Sequence, residues 1–294
     1  MSKYKDAHEN IVNVKFDGED FFVRERCFQT RGEHLIKIIV SALNMIKKSD
    51  IEPFEVSFYA GDFETKYVEG WEGKEPYAFA AEEYSDKLIP DFNFSGWPEV
   101  GVYNYTKTCK KIVEASKEKP EHDKLFWAGN TSTHVNRKKF ARLVKDDERI
   151  VVDDVMGWSG ISSNVKRLQP ISGVFTSLPD HCKYRYLIDI EGFGYSGRIK
   201  HLLHTNRPLF IQERKWKEWW FFNLEPFVHY IPVANDFSDF YEKFDWALSH
   251  DKEAKEIAKN AQDFAINNLR LEDAVDRFKK ILLEAGGCVT TTSS

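Results

Sequence analysis

The chain lacks the sequence features that mark several common protein classes. Its four cysteines, Cys27, Cys109, Cys182 and Cys288, form no CxxC pair, so their spacing predicts neither a zinc ribbon nor a dense disulfide framework. Four reduced thiols are the simpler expectation. The first residues, MSKYKDAHEN, contain no apolar leader, and no run reaches the ~18 apolar residues that a membrane-spanning helix needs. We therefore expect a soluble, intracellular protein located in the cytoplasm.

Charge and catalytic motifs exclude further classes. The formal net charge is −5, without the basic excess of proteins that bind nucleic acids or membrane surfaces. The nine histidines are scattered and form no HxxxH or HxxE pair on a predicted helix, so we predict no metal site. A Walker A loop and a GxSxG elbow are both missing, which disfavours a P-loop kinase and an α/β-hydrolase.

What the sequence does contain predicts two α/β units. Its 294 residues are 42% hydrophobic, enough apolar surface for two modest cores. Residues 33–48 have helical apolar spacing, and residues 54–61 alternate like a strand. Short apolar strands then recur between helices, which is typical of doubly wound domains with a parallel sheet. These strands are predicted at residues 124–129, 149–154, 184–190, 207–213 and 227–232.

Domain boundaries follow from this alternation. We predict an N-terminal Rossmann-like domain over residues 1–118 and a second over residues 119–261. A C-terminal helix over residues 262–285 is expected to pack back on the first domain, and residues 286–294 form a tail.

One candidate ligand site lies in the glycine-rich turn after the predicted strand 184–190. Gly192, Gly194 and Gly197 would let the backbone approach a ligand closely, and the following helix would direct its free N–H groups to the same place. Arg198 adds a fixed cation. The turn thus suits an anion, most simply a phosphate. The alternative is an ordinary turn with Arg198 and Lys200 in solvent.

A second turn, GNTSTHVNRKKF, repeats this logic. Asn130, Thr131 and Ser132 precede a predicted helix, and Arg137 follows one turn into it. The planar fork of an arginine matches a pyrophosphate at two points. The alternative here is a capping sequence followed by a solvated basic face. Two such turns in one sheet favour a diphosphate ligand.

Acidic and aromatic residues give further candidates. Asp189 and Glu191 could hold a divalent cation, but Asp189 lies within an apolar strand, which favours a structural role. Trp97, on a loop between Gly96 and Pro98, is a candidate ligand contact, and Phe94 is a second one.

Several ordered blocks of the chain resemble glycosyltransferase family 90, the family of protein O-glucosyltransferases and capsule xylosyltransferases. The strongest is DHCKYRYLIDIEGFGYSGRIKHLL at 180–203, followed by EPFVHYIPV at 225–233. GEHLIKIIVSAL, FEVSFYAGDFE, IPDFNFSGWPE and FWAGNTS match further blocks in the family's order. The resemblance covers about residues 30 to 285.

The resemblance implies a GT-B fold, in which two Rossmann-like domains face a central cleft. It also implies an inverting, metal-independent transfer that needs no cofactor besides the UDP-sugar donor. Asp62 matches the family's catalytic base. The matching donor contacts are Arg137, Ser196 and Arg198, with Asp180 close to the donor and with Asn130, Thr131, Ser132, Gly194 and Tyr195 in the same blocks.

The resemblance leaves the substrates open. Family members often have Arg-Gly where this chain has Ala128-Gly129, and secreted members carry a signal peptide and extra cysteines. We therefore expect a glycan or glycoprotein acceptor inside the cell, with Trp97 and Phe94 as possible acceptor contacts, and UDP-xylose before UDP-glucose as donor. A protein of the same fold that binds a nucleotide sugar or glycan without turnover is the alternative, and a sugar phosphorylase is a more distant one.

Overall fold

The computed structural model describes residues 9–70, 77–162, 165–170 and 176–288. Two larger sheets, one two-stranded sheet (β5 and β11) and a helical C-terminal part make up this portion of the chain. Its strands are β1 Ile11–Phe16, β2 Phe21–Arg26, β3 Phe54–Tyr59, β4 Tyr77–Ala78, β5 Ala80–Ala81, β6 His122–Gly129, β7 Ile150–Ser162, β8 Val165–Pro170, β9 Tyr184–Asp189, β10 Leu209–Gln212, β11 Lys217–Glu218 and β12 Ile231–Val233. Its helices are α1 Arg31–Leu43, α2 Tyr105–Ala115, α3 Val135–Leu143, α4 Ile199–Leu203, α5 Phe240–Ser249, α6 Asp251–Asn268 and α7 Leu271–Ala285.

The first sheet has the strand order β2-β1-β3-β4 and forms the base of what we call the N-terminal unit, residues 9–115. Strand β1 is antiparallel to β2 and β3, whereas β4 is parallel to β3. The β1–β2 hairpin has no counterpart in the sequence-based prediction. Asp17 accepts the backbone N–H groups of Glu19 and Asp20 in its turn, where Gly18 has a φ of 104°. The strand directions of this sheet therefore differ from a doubly wound arrangement.

The second sheet has the order β12-β10-β9-β6-β7-β8 and forms the C-terminal unit, residues 122–249. All its neighbouring strands are parallel except the edge pair β7–β8. Alternate residues of the central strands point to opposite cores, as for Leu187 and Ile188 of β9. Both faces are covered, because Phe140 of α3 and Phe244 of α5 lie in one core and Leu202 of α4 in the other.

The predicted α/β class, with a parallel sheet and a helical C-terminus, is confirmed. The helix predicted after the glycine-rich turn is short, since α4 has only five residues and begins at Ile199. The predicted boundary at residues 261 and 262 falls inside the continuous helix α6.

Helix α7 packs against α1 of the N-terminal unit. The rings of Phe58 in β3 and Phe278 in α7 meet edge to face, with centroids 5.4 Å apart. Beyond α7, the backbone N–H of Glu52 donates to the carbonyl of Gly286 at 2.9 Å. The chain thus returns to its first sheet after completing the second.

A buried ion cluster, which we call the Lys200 cluster, joins the two units. Lys200 of α4 lies with its Nζ 3.1 Å from Oδ2 of Asp91 and 2.8 Å from Oε1 of Glu218. Lys200 and Asp91 are fully buried, and Glu218 is 3% exposed. Strand β11, which carries Glu218, pairs with β5 of the N-terminal unit. Burial raises the pKa of Glu218 to about 8, with Lys200 opposing and Asp91 adding to the shift.

The Lys200 cluster predicts a pH-dependent stability. In the folded protein the pKa of Glu218 lies above its ordinary value. The stability that its protonated form contributes is therefore fully present when the pH is below that ordinary pKa, and it is lost as the pH rises through about 8. Glu218→Gln has no titrating group at this position. As the pH rises from about 5 to 8.5, the wild type should therefore lose unfolding free energy relative to this variant. Urea unfolding across this range measures the difference. Glu114→Gln is the control, because the Glu114 side chain is 75% exposed. If the difference in unfolding free energy from wild type were independent of pH for both variants, the prediction would be wrong.

Candidate functional site

The carboxyl ends of β6 and β9 open onto a cavity between the two units. These strands are adjacent and parallel, so the turns that follow them lie at the same edge of the sheet. The cavity has a volume of about 220 Å³. Its walls combine the N-terminal unit's Trp97 and Val100 with residues of the two turns and of the segment before β9. Among the latter are Asn130, Thr133, Arg137, Leu178, His181, Tyr195, Ser196 and Arg198.

A fully buried carboxylate, Asp189 at the end of β9, organises the glycine-rich turn. Its Oδ1 accepts hydrogen bonds from Oγ of Ser196 at 3.0 Å and from Nη2 of Arg198 at 2.7 Å. Its Oδ2 accepts from Nη1 of Arg214 at 2.8 Å. Burial alone would raise the pKa of Asp189, but Arg198 and Arg214 outweigh it and hold the pKa below its ordinary value. The structural role favoured for Asp189 is confirmed.

Arg137 approaches the same turn from the other side. Its Nε donates to the carbonyl of Glu191 at 2.9 Å, its Nη2 to that of Ile190 at 3.2 Å, and its Nη1 to Oγ1 of Thr133 at 2.8 Å. Among the described residues no carboxylate forms an ion pair with it. Burial and the positive charge of Arg198 lower the pKa of Arg137 to about 10. The lining of this cavity therefore holds two guanidinium groups, those of Arg137 and Arg198, and one carboxylate, that of Asp153, which leaves an excess of positive charge.

Asp62 follows β3 and stands next to this turn from the N-terminal unit. A Cβ placed on Gly194 would collide with the Asp62 backbone, so the two residues are in direct contact. Oδ1 of Asp62 lies 2.9 Å from Nη1 of Arg31, and its side chain is 29% exposed. The Arg31 guanidinium also lies over the ring of Phe92, 5.4 Å from its centroid. One carboxylate oxygen is thus held in place beside the positively charged turn.

The structure brings most of the sequence-predicted residues together. Asn130, Arg137, Tyr195, Ser196, Arg198 and Trp97 line the cavity. Asp62 and Gly194 contact each other beside the turn and are not part of the cavity lining.

Four other predicted residues do not line the cavity. Thr131 donates its N–H and hydroxyl to Asp154 of β7, which fastens the turn to the neighbouring strand, and Ser132 donates to Oδ1 of Asn130 within the turn. Asp180 accepts from Ser177 and pairs with Lys183 at 3.2 Å.

Phe94 is the fourth. Its side chain is fully buried against Tyr105 and Trp219, which places it in the core and away from an acceptor.

Sequence reasoning missed two arginines of the site. Arg214 follows β10, the strand next to β9, and so reaches Asp189 at the same sheet edge. The position of a cation directly after a buried strand could have indicated it. Arg31 opens α1 and meets Asp62 only through the packing of α1 on the sheet, for which the sequence carries no local signal.

Three further observations concern the described residues as a whole. They form no group of three or more His, Cys, Asp or Glu placed to hold a metal ion. The four cysteines are all free. None of the helices in the described ranges has the length and apolar character required to traverse a lipid bilayer.

Comparison with known proteins gives one family match and a set of relatives. The sequence model described as Glycosyl transferase family 90 matches residues 18–291. Protein O-glucosyltransferase 1 of Rattus norvegicus is 39% identical over 212 residues, 69% of this chain and 54% of that protein. The Homo sapiens protein of the same name is 36% identical over the same shares. The chain spans about half the length of the curated relatives it matches.

More distant similarities are weaker. O-glucosyltransferase rumi of Drosophila melanogaster is 27% identical over 212 residues, covering 68% of this chain and 51% of that protein. The solved structure of Anabaena HepE in complex with UDP-glucose aligns with a TM-score of 0.37 and 10% identity over 64% of this chain and 46% of the other. A likeness this slight supports no argument.

The Asp189 ion cluster predicts a large stability effect. Asp189→Asn keeps the shape of the side chain but leaves Arg198 and Arg214 without their counter-charge, which should lower the free energy of unfolding by about 3–5 kcal/mol. Asp180→Asn, which breaks the half-exposed pair with Lys183, should cost only ~0–1 kcal/mol. Urea unfolding of both variants tests this. Equal free energies of unfolding for the two variants would show that Asp189 does not stabilise the turn.

Proposed function

Because the chain belongs to glycosyltransferase family 90, we propose that it transfers a sugar from a UDP-sugar to a hydroxyl group of a glycan or glycoprotein acceptor. The observation that carries this proposal is the excess positive charge of one cavity. Arg137 and Arg198 face it from two turns, and Arg137 forms no ion pair with any described carboxylate. A diphosphate supplies the missing negative charge.

The residues of the cavity then have distinct roles toward the donor. Arg198 is oriented by Asp189, and Arg137 by backbone carbonyls, so both guanidinium groups are positioned before a ligand arrives. The Ser196 hydroxyl lines the same cavity and donates a hydrogen bond to Asp189. These groups stabilise the charge that grows on the diphosphate as the sugar leaves. They provide that stabilisation without a metal ion or a further cofactor in the proposed reaction.

Asp62 is the proposed general base of a single displacement. It takes the proton from the acceptor hydroxyl as that oxygen forms a bond to the anomeric carbon. The bond between the anomeric carbon and the diphosphate oxygen breaks, and UDP leaves with the electron pair. Attack from the face opposite UDP inverts the configuration, so that an α-linked donor gives a β-linked product.

For the donor we propose UDP-glucose, with UDP-xylose as the alternative. The names of the relatives, protein O-glucosyltransferases, support glucose. The sequence-based expectation favoured xylose, and the two sugars differ only by a hydroxymethyl group. The same names support a protein hydroxyl as acceptor.

Ligand-dependent stability and turnover together test the proposal. A ligand that binds only the folded state raises the melting temperature as its concentration exceeds its dissociation constant. We expect UDP-glucose to raise it more than UDP-xylose and GDP-mannose, and we expect UDP release on addition of acceptor. Binding without any turnover would instead support a non-catalytic sugar-nucleotide-binding protein. The absence of any nucleotide effect would refute the proposed function.

Replacing the proposed base should remove turnover and leave donor binding intact. Asp62→Asn cannot accept the acceptor's proton, so kcat should fall by about 10²- to 10⁴-fold while the Kd for UDP stays close to wild type. Glu64→Gln, at a neighbouring carboxylate paired with Lys66, is the matched control and should keep its activity. Unchanged turnover in Asp62→Asn would rule out this residue as the base.

Removing Arg198 from the turn should weaken donor binding, in contrast to the loss of turnover expected for Asp62→Asn. Arg198→Ala deletes a charged hydrogen-bond donor to the diphosphate, and UDP affinity should weaken by ~1.5–3 kcal/mol, or about 10- to 150-fold. The fold should persist, because Arg214 still pairs with Asp189 at 2.8 Å. Arg185→Ala breaks ion pairs at the far end of β9 and serves as the control. Titration calorimetry with UDP measures both variants, and equal affinities would contradict the anion site.

A further inference from the structure

We propose that Lys200 and Asp91 are positioning residues, by which the N-terminal unit holds the donor-binding turn of the C-terminal unit in its binding geometry. This inference rests on the proposed function, since the turn, residues 195–198, carries Ser196 and Arg198. It assigns a role to a buried cluster that the displacement chemistry itself does not use.

The contacts of Asp91 reach the turn at two points. Oδ2 of Asp91 accepts the hydroxyl of Tyr195 at 2.9 Å and lies 3.1 Å from Nζ of Lys200. Lys200 in turn donates to the carbonyl of Gly197 at 3.2 Å. The tethered groups, on Tyr195 and Gly197, flank Ser196 in the sequence. A displacement of Asp91 would therefore move the backbone that carries the Ser196 hydroxyl.

The turn is consequently held from both units. Asp189 of the C-terminal unit binds the side chains of Ser196 and Arg198. Asp91 of the N-terminal unit holds the residues on either side of Ser196. The fit is close, because a Cβ on Gly197 would collide with the amide nitrogen of Asn93. Two carboxylates from different units thus determine the geometry of one anion-binding turn.

Stability alone does not explain the burial of this ion pair. Lys200 and Asp91 have no exposed surface, and a lysine is almost never buried so completely. Replacing a buried ion pair with apolar residues of similar volume is often neutral or stabilising. What apolar residues cannot supply is the directional hydrogen bonds to the Tyr195 hydroxyl and the Gly197 carbonyl.

Asp91 also links the ion pair to the cavity wall through its own loop. Asp91 begins the loop that ends at Trp97, and Trp97 lines the cavity together with Ser196 and Arg198. The same loop therefore supports the donor turn and forms another part of the cavity wall. Disrupting the pair should weaken donor binding, whereas Asp62 lies outside the pair's contacts and its proton transfer should continue.

The double variant Asp91→Leu/Lys200→Met, measured at about pH 6, tests the proposal, because it removes both charges of the pair while Glu218, the other partner of Lys200, is kept neutral by burial, which raises its pKa to about 8. We expect urea unfolding close to wild type. We also expect the Kd for UDP and the KM for the donor to rise by about tenfold, with a much smaller change in kcat. A merely structural pair would shift unfolding and leave the Kd and KM unchanged. UDP binding equal to wild type by the folded double variant would overturn the proposal.

Two further variants keep the test decisive. Lys215→Met is the matched control, since Lys215 and Glu82 form a part-exposed ion pair, 3.1 Å long, that also joins the two units; its UDP affinity should be unchanged. Tyr195→Phe removes the hydrogen bond from the Tyr195 hydroxyl to Asp91 without altering any charge. This variant tests the proposal if the double variant does not fold. It should weaken UDP binding, and wild-type affinity would overturn the proposal. Absence of UDP binding by the wild-type protein would refute the proposed function instead.

Discussion

The arrangement of the site depends on one buried carboxylate. Asp189 ends the central strand β9, and its two oxygens bind Ser196, Arg198 and Arg214. A fully buried charge is tolerated only when it is paired and hydrogen-bonded, and here the pairing fixes the side chains that face the cavity. The same bonds leave Arg137 without a carboxylate of its own among the described residues, which creates the excess of positive charge.

The two units contribute opposite charges to the site. The C-terminal unit supplies arginines at the carboxyl ends of parallel strands, where a diphosphate can approach their guanidinium groups. The N-terminal unit supplies Asp62, held by Arg31 and in contact with Gly194. In the displacement that we propose, the base and the anion site must lie close together without neutralising each other. Here Arg31 pairs with Asp62 and Asp189 pairs with Arg198, whereas Arg137 has no ion-pair partner among the described residues.

The connection between the units is polar at its centre. The Lys200 cluster lies at the joint, where Asp91 and Glu218 approach Lys200 from both sides of the interface. Apolar contacts such as that of Phe58 with Phe278 fasten the C-terminal helix to the first sheet. Apolar packing tolerates small displacements, whereas hydrogen bonds constrain direction. The ion cluster therefore sets the alignment of the units close to the cavity.

The sequence by itself determined the α/β class, the strands β6, β9 and β10, and the two turns with Arg137, Ser196 and Arg198, because periodicity and turn composition are local properties. It did not indicate that Arg214 shares Asp189 with Arg198, that Arg31 holds Asp62, or that Phe94 is buried. These facts depend on residues distant in the chain that only the packing of sheets and helices brings together. The β1–β2 hairpin does carry a local signal, since Asp17-Gly18 lies between two apolar-rich segments, but its place in the sheet is decided only by the pairing of β1 with β3.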